Sequence, residues 1–445
     1  MTPRSVLLAL VVLAAALVVL YVRAYPTISP ADESQHIDYM LKVSHGHLVA
    51  RGDLLGQQAL REETCRRLDS PFDVKVPRCG RPRHLNPPVF QEGGYNTAYI
   101  HPPVYYAIDG LLARGALAVT PGHHDVVTFA RLLGALWLAA AVVLIWFVLG
   151  EFETPIAIRA VLIVLLLTAP TVLHFSSIVN PDGSALATGA AVLLATLRYE
   201  RRAGSWVPLA VLSAFAIATK ATNGFGVGVC LIDIGVRWLQ HRSARQGLGD
   251  EPQAKLRDRK RYLVVAGALI GGLAVTGLVW AGISSAIAHV PSNQIPMIRR
   301  FSTHSFPIKG LQFDWRDALS PLRAAYVPRF LKSARIVRIA VIVDVLVIAG
   351  TLVGIAFSEH GSRLRAVAIA ALVAMLLVGP VVVTFNYLAQ GIWFRPGTVP
   401  RYGLSILPAA LVAATVSLRQ RVVLFGASVL AGLTLISTIL QMASR

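Results

Sequence analysis

Asp32, Glu33 and His36 follow closely on a first apolar run over residues 5–22. A carboxylate just beyond a membrane-length segment can act as general base toward an acceptor hydroxyl. With His36, the two acids could also supply ligands to a divalent cation. Pro30 suits a helix start with acids in its first turn, and on that helix Asp32 and His36 would share a face. The same residues also read as a capped, solvated interfacial helix.

Three further groups carry possible chemistry. Asn180-Pro181-Asp182-Gly183 has turn composition, with His174 shortly before it, and Asp182 is a second candidate acid. Tyr99-Ile100-His101-Pro102-Pro103-Val104-Tyr105-Tyr106 reads as an aromatic interfacial anchor, or offers His101 to a phosphate or metal. Arg131, Lys220, Arg395 and Arg401, the last beside Tyr402, are cations at span ends. Each alone could be a snorkelling residue; together they would form an anion-binding rim around the acids.

The elements that must position these residues are membrane helices. The chain has 445 residues, 55% of them hydrophobic, and a mean hydropathy of +0.60. That composition describes a polytopic all-α membrane protein. Eleven spans are expected, over 5–22, 126–149, 157–176, 183–197, 205–220, 222–238, 262–283, 336–357, 366–386, 402–417 and 422–441. The net charge of +19 comes from bases distributed among the connecting loops, which argues against nucleic-acid binding. The first run exceeds the usual signal-peptide core, so it reads as retained despite a weak cleavage pair at Val22 and Ala24.

With the N-terminus inside, the basic segment 239–261 and the short connectors at Arg198, Arg363 and Arg419 fall on the cytoplasmic side. Two long loops, 23–125 and 284–335, then lie outside. Pro103–Ala118 contains Asp109 and Arg114 and reads as an amphipathic helix at the outer interface. Cys65 and Cys79 share the first outer loop and are expected to form a disulfide, consistent with an oxidising compartment. Cys230 lies within a span. Asp233 can pair with Arg237 at helical spacing, while Asp344 has no evident partner.

The order of these landmarks resembles the GT-C membrane glycosyltransferases. The acids after the first span, the His101–Tyr106 stretch, Asp182 before the fourth span and Arg401-Tyr402 carry the likeness. Within that group the chain is similar to protein O-mannosyltransferases, aminoarabinose transferases and their bacterial relatives, over most of residues 1–410. The resemblance implies one GT-C-like bundle over 1–445 that transfers a hexosyl or pentosyl group with inversion. It implies a polyprenyl-phosphate sugar donor, a cell-envelope glycan, lipid or protein acceptor, and an extracytoplasmic site in the plasma (inner) membrane. By position, Asp32 matches the catalytic acid, Asp182 the second acid and Arg401 the late arginine. Lys220 matches a lysine common after the fifth span, and His101 stands where relatives often carry a lysine. Trp315 and Arg316, in the second outer loop, would help to bind acceptor. A divalent cation is possible but not required. A transporter or flippase of a lipid-linked sugar is the alternative, and a degenerate scaffold a third reading.

Overall fold

The first helix, α1 (Pro3–Ala24), begins where Thr2 accepts a hydrogen bond from the Ser5 amide at 3.2 Å, with Pro3 in the first turn. It stops at Tyr25-Pro26, because proline has no amide to continue the ladder. Leu10, Ala14, Leu17, Val18 and Tyr21 make one buried stripe, while Leu8, Val12 and Val19 face outward. Apolar residues on both faces suit a helix packed on protein on one side and lipid on the other.

The computed structural model describes residues 2–69, 76–80, 83–120, 125–202, 204–244, 252–291, 294, 334–390 and 400–445. Among these there are helices and two isolated bridges, and no strands. After α1 come α2 (Glu33–Ser44), α3 (Gln57–Arg66), α4 (Val104–Val119), α5 (Val126–Gly150), α6 (Ile156–Leu167) and α7 (Pro170–Phe175). Then follow α8 (Ala185–Arg202), α9 (Val207–Thr219), α10 (Gly224–Ala244) and α11 (Pro252–Ala286). The last four are α12 (Ala334–Phe357), α13 (Arg363–Gln390), α14 (Leu407–Leu418) and α15 (Arg421–Ala443).

Six helices among the described residues are long and apolar enough to cross a membrane. The chain is therefore a polytopic helical membrane protein. The eleven-span reading is finer than these lengths support, since α6 and α9 have only 12 and 13 residues. The expected continuous span 157–176 is also broken. Pro170 disfavours helical geometry at Ala169, which adopts φ −65° and ψ 122°, so α6 ends and α7 turns away. The Thr168 hydroxyl donates to the Val164 carbonyl at 3.0 Å, covering part of the exposed ladder end. The expected span 402–417 likewise opens as a 3-10 segment, Pro400–Ile406, before α14.

α2, α3 and α4 fold over one end of the bundle. Ile37, Tyr39, Met40, Tyr105, Tyr106, Val127 and Trp280 form a second core beneath them. Gly110 lets α4 lie against α2, since a Cβ there would meet the Met40 carbonyl at 2.8 Å. Cys65 and Cys79 are joined in a disulfide that ties α3 to the chain after it. Arg395, Trp315 and Arg316, and most of 284–335, lie outside the described residues, as does the side chain of Asp344.

Candidate functional site

The site is assembled by four backbone segments meeting at the α2–α4 end. Asp32 stands just before α2 with φ 61° and ψ 19°, a left-handed conformation that strains a non-glycine residue. Asp32 and His36 were expected on one helix face. Instead Asp32 lies outside the helix, and its side chain caps nothing. The freed carboxylate turns to Arg401, with Oδ2 3.6 Å from Nη2.

Asp182 comes from the turn after α7, where the Asn180 side chain accepts from the Asp182 amide at 2.9 Å. Gly183 allows that turn to touch the Phe175 carbonyl, 2.8 Å from where a Cβ would stand. Lys220, at the end of α9, places Nζ 2.6 Å from Asp182 Oδ1 and over the Tyr402 ring. Arg401 Nε lies 3.2 Å from Asp182 Oδ2, too poorly aligned for a hydrogen bond, and its guanidinium sits over the Phe175 and Tyr402 rings.

Segment 400–406 reaches this position because two glycines admit it. A Cβ on Gly189 would fall 2.1 Å from the Ser405 carbonyl, and the Gly226 amide donates to Ser405 Oγ at 3.0 Å. Small residues permit such backbone approach between membrane helices. Gly189→Val is accordingly expected to lower the thermal midpoint of the purified protein. It should also weaken any activity that depends on Arg401, as differential scanning fluorimetry with a matched assay would read.

Burial divides the two acids by role. The Asp182 and Lys220 side chains are 1% and 2% exposed, a closed pair. Asp32 keeps 46% exposure. Burial pushes its carboxyl above the ordinary range; Arg401 and Lys220 pull it back, and Asp182 adds to the rise. Asp32 is thus the solvent-reachable acid of the pair.

His36 and His101 lie side by side with centroids 5.7 Å apart and their rings tilted by 36°. His36 Nδ1 shares a 2.8 Å hydrogen bond with the Tyr106 hydroxyl, and Tyr106 stacks on Tyr39 at 4.2 Å. Burial lowers both histidines well below their usual value, with Lys220 and Arg401 acting in the same direction. That direction favours the neutral imidazole of His101, which stands beside His36 at the edge of the cluster.

Three further expected roles meet a buried geometry. Glu33, expected among the catalytic acids, has a side chain 0% exposed and paired with Arg131. It receives Arg131 Nε at 2.8 Å and Nη2 at 2.7 Å, together with the amides of Ser29 and Val179. Arg131 consequently does not join the cationic rim. The metal trio of His36, Asp32 and Glu33 is dispersed by the same geometry, and no group of three candidate ligands occurs among the described residues. The sequence reading also missed Tyr21, whose hydroxyl meets His174 Nδ1 at 2.6 Å, while Ser29 Oγ meets Nε2 at 3.0 Å. A tyrosine on the inward stripe of α1 was the available signal.

Residues 13–410 match the profile of the DUF2142 family of predicted membrane proteins. The chain belongs to that family. Curated proteins and solved structures give no match to it. The DUF2142 match takes in Asp32, His101, Asp182, Lys220 and Arg401, and ends inside α14.

Proposed function

We propose that this chain is an inverting glycosyltransferase using a polyprenyl-phosphate sugar as donor. The observation that carries this reading is an open Asp32 carboxylate facing the buried Arg401–Asp182–Lys220 cluster. Asp32 takes the proton of the acceptor hydroxyl as its oxygen attacks the anomeric carbon opposite the phosphate. The bond from anomeric carbon to phosphate oxygen breaks, its electron pair leaves with the polyprenyl phosphate, and the configuration inverts. Arg401 and Lys220 stabilise the charge gathering on that leaving group. Asp182 holds both cations in place, so they need no reorganisation during the reaction.

The acceptor class is a cell-envelope glycan, lipid or protein. The site lies at the extracytoplasmic face of the plasma (inner) membrane, with the N-terminus inside. Support for that sidedness is the basic composition of the sequence 239–261, which connects α10 to α11.

A single-turnover assay tests the reading, using full-length protein in detergent, radiolabelled polyprenyl-phosphate sugars and membrane extract as acceptor. Label passing into a glycan, lipid or protein product supports it. Movement of intact donor across proteoliposomes without transfer would overturn it in favour of a transporter or flippase. Arg401→Lys keeps the charge but loses the fork that spans both acids, and transfer is expected to fall about 10²-fold. An unchanged rate in that variant would remove Arg401 from the mechanism.

A further inference from the structure

The far end of the bundle holds a second set of buried charges that the proposed reaction does not use. At about 1.5 Å per helical residue, Glu200 near the end of α8 lies roughly 27 Å from Asp182. There Arg237 of α10 contacts Glu200 and, at 2.8 Å, Asp233. Arg363, opening α13, reaches Glu200 at 3.2 Å and also donates to the Leu197 carbonyl. Arg261 of α11 donates to the carbonyls of Tyr199 and Glu200.

This knot has more donors and more positive charge than its own acids balance. Three arginines face two carboxylates, and the Nε atoms of Arg237, Arg261 and Arg363 are all buried without an acceptor. Asp233 Oδ1 and Glu200 Oε1 are also unmatched, two acceptors against three donors. Alongside, Glu151 alone answers Arg198 and Arg201. Buried unpaired donors and uncompensated charge are costly, and arginine edges fit phosphate oxygens well.

We infer that this arginine knot binds a phosphate group, presented by an anionic lipid headgroup or free in solution. Helix ends place it at membrane-surface depth, where Trp206 and Trp238 stand partly exposed as interfacial side chains do. Basic pockets between membrane helices hold anionic headgroups by this chemistry. The site is independent of the glycosyltransferase reading and survives its failure.

The test is the thermal midpoint of full-length protein in detergent, titrated separately with phosphatidylglycerol, phosphatidylcholine and inorganic phosphate. At a hundredfold excess over Kd, a bound anion is expected to raise the midpoint by roughly 3–5 °C. A rise with phosphatidylglycerol alone assigns a lipid headgroup; the same rise with inorganic phosphate assigns the free ion. Arg261→Gln/Arg363→Gln should abolish the rise, whereas Arg23→Gln, exposed at the other end of the bundle, should keep it. Equal effects of the two lipids, or no effect of any addition, would overturn the site. So would a full rise retained in the double variant. If that variant does not purify, the contrast between the two lipids in wild type decides alone.

Discussion

Asp32→Asn is expected to lower transfer by about 10²–10⁴-fold, the range lost when a general base is removed. The substitution is nearly isosteric, and the wild-type carboxylate makes one long contact to Arg401 and caps no helix. Folding should therefore be little affected, and thermal midpoint and detergent elution should match wild type. The pH profile supplies a sharper reading. A general base works only when deprotonated, and burial holds the Asp32 carboxyl above the ordinary carboxylate range. Wild-type activity should therefore rise with pH through that raised value and level off beyond it. The residual activity of the Asn variant should lack this limb. A variant that keeps both rate and limb would remove Asp32 as the base.

The sequence made the bundle legible because membrane helices announce themselves by continuous apolar runs, and α1, α5, α13 and α15 are long ones. Where a segment was short or broken by proline, hydropathy blurred the outcome. Pro170 split one expected span, and residues 400–406 wind as 3-10 helix because Ser405 must fit against Gly189 and Gly226. Asp32, Asp182, Lys220, Arg401 and Tyr402 were each visible as polar residues at span ends, and the fold brings them into one cluster. Composition could not tell apart two neighbouring acids. Asp32 and Glu33 look alike in sequence, yet a single left-handed residue leaves one side chain half-exposed and turns the other into the core. Arg131 was misread for the same reason, since a cation at a span end reveals its charge but not its partner.

Glu33→Gln is expected to destabilise the protein by about 3–5 kcal/mol, the cost of breaking a buried ion pair from one side. Glu33 and Arg131 are 0% and 1% exposed, so water cannot replace either partner. The two Glu33 oxygens accept four hydrogen bonds, from Arg131 twice and from the Ser29 and Val179 amides. An amide nitrogen in place of either oxygen would face donors with a donor, leaving Arg131 charged, buried and unpaired. The damage should reach the site, because these bonds fix the start of α2 to α5 and to the chain leading into Asp182. Arg131→Met should cost a similar amount, since Arg131 also donates to the carbonyls of Tyr25 and Thr27 at 2.7 Å each. Glu33→Met/Arg131→Met should recover part of the loss, because removing both charges avoids an isolated ion. Thermal midpoints of the three variants in detergent measure this coupling. The result also separates the two acids: a strut lost at Glu33 lowers the midpoint, whereas a base lost at Asp32 lowers the rate. Transfer abolished in Glu33→Gln at an unchanged midpoint would reverse that assignment.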